Sequence, residues 1–314
     1  MKAPSSYRID IRIQCFYLSE TLTEVSVVAG PGSSDLANNI AGRLGAQLNM
    51  AALRIFSDGE SSIKLGKVGK NCIIVQSTHP PADTHLMQLL MMAKKCTDDG
   101  AQYICTVIPY LCYARQDRAF LEGEVVSIGL VAKLLETVGV KHIITVDIHS
   151  QLALSYFTSI QNVSSIPLLG EYASKMNLHD PIAVSPDAGG AYRAEEFARY
   201  LDIDVLALKK YRHRVTGEVT VDEKLDMDIS KRDALVIDDI ISSGGSIIKA
   251  AEVLHKKGIG RIYAMCAHAL LIREAARKIK SAGIQEIIST NSVPGKYSKV
   301  DLSSEIASAL KSRY

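Results

Sequence analysis

Val236-Ile237-Asp238-Asp239-Ile240-Ile241-Ser242-Ser243-Gly244-Gly245-Ser246 reads as a buried strand, a small two-glycine turn and the start of a helix. An apolar run meets two carboxylates, and Ile247, Ile248, Ala251 and Leu254 then follow at helical spacing. Gly244 and Gly245 admit backbone conformations closed to other residues, so successive N–H groups can converge on an anion at the helix N-terminus. Ser242, Ser243 and Ser246 add hydroxyl donors. Acidic residues beside an anion site suit sugar hydroxyls, which carboxylates accept, or a magnesium ion. A sugar phosphate satisfies both halves, whereas a serine-capped turn with solvated aspartates would read the same.

Working outward, the same plan recurs upstream. Ile182 to Ser185 is a short apolar strand, followed by Pro186-Asp187-Ala188-Gly189-Gly190 and a helix carrying Ala194, Phe197 and Leu201. A carboxylate and two glycines again lie between strand and helix, a second candidate anion site. Between these turns, Lys209-Lys210-Tyr211-Arg212-His213-Arg214-Val215-Thr216-Gly217 has no apolar face to bury. It reads either as a mobile basic loop able to close over a polyphosphate or as a solvated turn.

The first half carries its own polar strand ends. His142 to Val146 reads as a strand ending in Asp147-Ile148-His149-Ser150, and Tyr103 to Ile108 as one ending in Pro109-Tyr110-Leu111-Cys112-Tyr113-Ala114-Arg115-Gln116-Asp117-Arg118. His149 fits a metal or phosphate ligand, or a hydrogen-bonded structural histidine. Arginine forks suit phosphate oxygens and planar rings suit a base, but Arg115 and Arg118 equally suit ion pairs with Asp117 or Glu122. Phe56-Ser57-Asp58-Gly59-Glu60 reads as a hairpin tip that could also cradle a purine. Pro31-Gly32-Ser33-Ser34-Asp35, after the strand Val25 to Gly30, fits a phosphate loop less well than a plain helix cap. Ile9, Ile11 and Ile13 alternate with polar residues and suggest an edge strand.

Strands alternating with helices throughout imply an α/β fold with mainly parallel sheets covered on both faces. Weak periodicity from Tyr156 to Ile166 suggests two domains, 1–157 and 158–314. The 314 residues suffice for two cores. A formal charge of +2 argues against a broad nucleic-acid footprint. Six scattered cysteines without a CxxC pair argue against zinc or a disulfide framework. No apolar segment has the length of a membrane span and the first residues lack a signal-peptide pattern, so the cytoplasm is the expected compartment.

Taken in order, Phe56–Glu60, Tyr113–Arg118, Asp147–His149, Ser185–Gly190, Lys210–Arg212 and Asp238–Ser246 resemble the ribose-phosphate pyrophosphokinase (phosphoribosyl-pyrophosphate synthetase) family. The resemblance runs from about Val25 to the C-terminus. It implies two tandem phosphoribosyltransferase-like domains, with ATP held by Phe56, Asp58, Gly59, Glu60, Arg115 and Gln116, and the hairpin supplied by a neighbouring subunit of a homo-oligomer. It further implies magnesium on His149 and Asp187, a pyrophosphate loop at Asp187, Ala188, Gly189 and Gly190, and catalytic Lys210 and Arg212. Asp238 and Asp239 would grip ribose hydroxyls, while Ser242, Ser243, Gly244, Gly245 and Ser246 would bind the 5-phosphate, with Arg212 contributing. Many members have Asp-Thr-Gly-Gly-Thr where this chain has Ser242 to Ser246, so the loop keeps its glycines and hydroxyls and lacks a carboxylate.

The implied reaction is attack of the anomeric hydroxyl of ribose 5-phosphate on the β-phosphorus of MgATP. A phosphoribosyltransferase would share the Asp238–Ser246 motif, but would leave the first-half motifs without a purpose. A silent homologue that restrains an active partner would have lost loop cations or metal ligands, and Lys210, Arg212, His149 and Asp187 are all present. A nicotinamide-binding protein is excluded by the absence of GxGxxG after a strand.

Overall fold

The structure, a computed structural model, describes residues 25–208, 210–212, 219–221 and 227–312, with only the backbone described at 210–212 and 219–221. The edge strand expected at Ile9 to Ile13 lies outside the described residues. In chain order the elements are β1 (Val25–Ala29), α1 (Ser34–Leu44), β2 (Gln47–Met50), β3 (Ala52–Ile55), β4 (Ser61–Lys64), β5 (Asn71–Val75), α2 (Ala82–Asp98), β6 (Tyr103–Ile108), α3 (Ser127–Thr137), β7 (His142–Val146), α4 (Gln151–Leu154), β8 (Ile160–Val163) and α5 (Ile166–Ser174). There follow β9 (Ile182–Ser185), α6 (Ala191–Leu201), β10 (Asp204–Ala207), β11 (Lys210–Arg212), β12 (Val219–Val221), β13 (Ala234–Ile241), α7 (Gly245–Lys256), β14 (Ile262–Ala269), α8 (Ala275–Ser281), β15 (Ile284–Thr290), β16 (Ser298–Val300) and α9 (Ser303–Lys311).

Two six-stranded parallel sheets result, ordered β2-β1-β5-β6-β7-β8 and β10-β9-β13-β14-β15-β16. Counting each sheet's own strands, both run 2-1-3-4-5-6, so the halves share one topology. Their inner strands are apolar runs because helices cover both faces. In the second sheet Val184, Val236 and Ala264 pack with Ile247, Ala251 and Leu254 of α7. Alternate residues Ala183, Leu235 and Met265 turn to Leu169 of α5 and Phe197 of α6. Phe197 is wholly buried, and its truncation to alanine would cost about 3–5 kcal/mol.

The first sheet packs one face on α2 and α3. On the other, Ile40 of α1 shares a core with Leu302, Ile306 and Leu310, so the last helix, α9, covers the first sheet. Arg43 Nε donates to Ser303 Oγ at 2.8 Å beside that seam. The 157/158 division suggested by weak periodicity falls before β8, which pairs with β7 and carries the first sheet on to Val163. The chain passes into the second core at once, through Ile166 and Leu169 of α5. β8 escaped notice because it is a half-buried edge strand with Gln161 and Asn162 at its centre, giving no apolar run.

Candidate active site

β9 and β13 are neighbours where the strand order of the second sheet reverses, the point at which open α/β sheets form a ligand crevice. Both glycine turns predicted from the sequence therefore open on one place. After β9, Asp187 caps a single 3₁₀ turn at Ala188–Gly190: its Oδ1 accepts the Gly190 N–H at 3.1 Å, while Ser185 Oγ donates to the Asp187 carbonyl at 2.7 Å. Ala188 and Gly189 stay exposed. After β13, Gly244 adopts the left-handed conformation (φ 79°) that starts α7, and the Ile272 N–H holds the Ser242 carbonyl at 3.2 Å. Ser243 and Gly245 face solvent.

The strand continues through Asp238 and Asp239 to Ile241 rather than stopping at the carboxylates. Asp239 is 4% exposed. Its Oδ2 receives His149 Nδ1 at 2.7 Å and Arg193 Nη2 at 2.9 Å, and its Oδ1 accepts the Ile240 N–H at 2.9 Å. Burial works against the charge on Asp239, but the His149 hydrogen bond and the Arg193 guanidinium outweigh it and hold the carboxyl well below the usual range. Asp238 moves the opposite way, pushed well up by burial and by the charge of Asp239, with Asp187 adding in the same sense. Two carboxylates this close raise the cost of ionising each other, which is why the shifts of the pair run in opposite directions.

His149 comes from the first half, at the end of β7, and its side chain is 41% exposed. Arg115, in the segment after β6, lines the same cleft together with Tyr110, Val146, His149, Ile240 and His268. Arg118 instead pairs with Asp117, at 3.1 Å, as the ion-pair reading anticipated. Gln116 hydrogen-bonds Glu124 at 3.1 Å. The Phe56–Glu60 tip joins β3 to β4, closed by Phe56 N to Glu60 O and Gly59 N to Phe56 O, both 2.9 Å, and is not among the residues lining this cleft. β11 places the backbone of Lys210 and Arg212 in an antiparallel ribbon with β12, close after Leu208, whose N–H donates to Ser185 O at 3.0 Å. The side chains of Lys210 and Arg212, and the rest of the basic segment at 209 and 213–218, lie outside the described residues.

Among the described residues no three His, Cys, Asp or Glu side chains gather into a metal cage. Magnesium keeps waters and takes one or two protein ligands beside substrate phosphates, the number that His149 and Asp187 would supply. Because Asp239 occupies His149 Nδ1, the free Nε2 is the nitrogen left for a metal, and the donor set fits a partly protein-held ion. In the first-half turn at Pro31–Asp35, Gln76 Oε1 accepts the Gly32 N–H at 2.9 Å, and Ser33 Oγ accepts the Ser77 N–H at 2.8 Å.

Two participants were not picked out from sequence. Arg193, on the first turn of α6, is 9% exposed and buries its guanidinium against Asp239. His268, on β14, donates from Nε2 to the Val146 carbonyl at 3.0 Å across the two halves, while its Nδ1 meets Ser292 Oγ at 2.8 Å. An arginine inside an amphipathic helix and a histidine inside an apolar strand each look like ordinary residues of those elements.

A family profile described as the N-terminal domain of ribose phosphate pyrophosphokinase matches residues 25–139, and one described as a phosphoribosyl synthetase-associated domain matches 213–310. The chain is 36% identical over 287 residues to a ribose-phosphate pyrophosphokinase of Methanothermobacter thermautotrophicus, covering 91% of this chain and 99% of the relative. A ribose-phosphate pyrophosphokinase of Vibrio cholerae is 35% identical over 305 residues, covering 92% and 96%. The crystal structure of phosphoribosylpyrophosphate synthetase from Mycobacterium smegmatis superposes with a TM-score of 0.81 at 25% identity, over 92% of this chain and 98% of that one.

Proposed function

The chain belongs to the ribose-phosphate pyrophosphokinase family, and from that premise we propose that it transfers the β,γ-diphosphoryl group of MgATP to the anomeric hydroxyl of ribose 5-phosphate. A bond forms between the anomeric oxygen and the β-phosphorus, the bond from the β-phosphorus to the oxygen retained by AMP breaks, and the hydroxyl proton is released. The products are 5-phospho-α-D-ribose 1-diphosphate (PRPP) and AMP.

The observation that carries this reading is the meeting of the Asp187–Gly190 and Asp238–Ser246 turns at one strand-order reversal, with His149 of the other half bonded to Asp239. Ser242 to Ser246 take the 5-phosphate on backbone N–H groups at the start of α7 and on hydroxyls. The Asp238–Asp239 end of β13 lies where the ribose hydroxyls follow. Asp187 to Gly190 receive the transferred diphosphoryl group, and Arg115 with Gln116 bind ATP. Magnesium, held by His149 and Asp187, would neutralise phosphate charge. Lys210 and Arg212 approach on the ribbon and stabilise charge in the transition state, so catalysis is positioning and electrostatics, with no covalent intermediate. The Phe56–Glu60 hairpin completes the adenine site of a neighbouring subunit in a cytoplasmic homo-oligomer.

Phosphorus NMR of the protein with MgATP and ribose 5-phosphate tests this directly. PRPP and AMP should rise together. AMP without PRPP, or PRPP consumed rather than made, would overturn the reading.

A further inference from the structure

Resting on that reading of the cleft, we infer that the two adjacent aspartates divide their work: Asp239 is the positioning partner of His149, and Asp238 grips the ribose. Asp239 Oδ2 is engaged by His149 Nδ1 and Arg193 Nη2, Oδ1 by the Ile240 N–H, and the residue is 4% exposed. No open approach remains for two sugar hydroxyls. Asp238 is only half-buried and has fewer partners: its Oδ1 accepts the Asp239 N–H at 2.9 Å, and its carboxyl touches that of Asp239.

Asp239 Oδ2 already accepts from Arg193 Nη2 at 2.9 Å, and His149 Nδ1 at 2.7 Å from the same oxygen is placed as a second donor to it. Nε2, the other ring nitrogen of a side chain that is 41% exposed, is then the one left to face a metal. A carboxylate that fixes the tautomer and orientation of a metal-binding histidine is a general outer-shell device, worth about 10–100-fold in metal affinity or activity. Here the carboxylate comes from the opposite half of the molecule. Arg193 fixes the arrangement further: Nη2 reaches Asp239 at 2.9 Å and the His149 carbonyl at 3.5 Å, tying both partners to α6. Relative movement of the halves would therefore swing the metal-facing nitrogen.

The test uses the full chain, with Mn²⁺ as the probe. In ¹⁵N-histidine NMR, His149, assigned by loss of its signal in His149→Gln, should appear as the Nδ1–H tautomer and broaden on adding Mn²⁺. An Nε2–H tautomer, or a signal indifferent to Mn²⁺, overturns the inference. Asp239→Asn should weaken Mn²⁺ binding by about 10–100-fold and lower kcat, leaving KM for ribose 5-phosphate nearly unchanged. Asp238→Asn should raise that KM by about 10-fold or more, the scale of one charged hydrogen bond, with Mn²⁺ binding intact. Equal rises in KM with unchanged Mn²⁺ affinity in both variants would assign both residues to the sugar and overturn the division. If Asp239→Asn does not fold, the wild-type tautomer and broadening decide. Wild-type PRPP formation is scored separately, so its absence refutes the enzymatic reading without touching the His149–Asp239 assignment.

Discussion

Gly244 and Gly245 are adjacent yet constrained by different physics. Gly244 sits at φ 79°, and a Cβ there would lie 2.7 Å from Ile279 Cδ1 and Cγ1 in the second core. Gly244→Ala meets left-handed backbone strain of about 1–2 kcal/mol together with displacement of a buried isoleucine. Urea denaturation should show a loss of about 2–3 kcal/mol, a typical result when strain and overpacking combine. Gly245 has no such strain, and its Cβ would meet only Ser243 Oγ at 3.8 Å. Gly245→Ala should keep stability within about 0.5 kcal/mol, yet raise KM for ribose 5-phosphate because the methyl stands where a phosphate approaches the helix N-terminus. A wild-type KM in that variant would count against the phosphate loop. The spacing of motif residues showed where the loop would be. It could not show which glycine the backbone requires and which the ligand requires.

At the scale of elements, two small ribbons stand apart from the sheets. Among the described residues β3 pairs only with β4, all four of its residues are exposed, and Leu53, Ile55 and Phe56 present apolar surface, with the Arg54 guanidinium 4.8 Å from the Phe56 ring centre. β4 is anchored to the first half, with Ile63 against its core and Ser61 Oγ accepting from Gln88 Nε2 at 3.0 Å, so it is β3 that is left uncovered. The β11–β12 ribbon returns against α7, the helix that follows the Ser242–Gly244 turn. If the hairpin serves a neighbour's site and the ribbon its own, Phe56→Ala and Lys210→Ala fail in different subunits of one assembly. Lys210→Ala should lower turnover by about 100-fold or more with KM for ribose 5-phosphate little changed. Mixing the two variants after subunit exchange should recover activity above the sum of the parts, read as AMP release. Recovery no greater than that sum would place both elements in one chain's site. The hairpin was legible because Asp58-Gly59 is a strong turn signal; β8 was not, because a polar edge strand has no apolar run to announce it.

The whole molecule is one topology used twice, and the two copies have diverged at their reversal points. At the second sheet's reversal Ser243 and Gly245 face solvent, while at the first Gln76 Oε1 takes up the Gly32 N–H. Repeated strand–turn–helix patterns made the doubling legible in the sequence. What joins the halves was not, because it depends on contacts between distant residues: Ser77 Oγ to Ser292 O at 2.6 Å, His268 to Val146 O, and His149 to Asp239. His268 gives this seam an acid limit. Its Nε2–H serves the Val146 carbonyl and its Nδ1 meets Ser292 Oγ, a hydroxyl that donates to the Ala267 carbonyl at 2.7 Å, so it is burial of the ring rather than its partners that opposes protonation. The Tyr110 ring stands 5.1 Å away, and Asp239 and Arg193 act on it with opposite signs. Burial dominates and pushes the imidazole down to about 4. The unfolded chain, near 6.5, binds the proton first, so stability falls as pH drops from about 6.5 to about 4, by about 3 kcal/mol from this residue. Asp147 partly masks the effect, since burial pushes it up to about 6 and its contribution grows over the same descent. The comparison must therefore be between variants. His268→Gln keeps a donor for Val146 without titrating, so urea midpoints followed by tyrosine fluorescence at pH 7, 6 and 5 should fall less steeply than in wild type. Parallel pH slopes in the two proteins would show that protonation of His268 does not limit the seam.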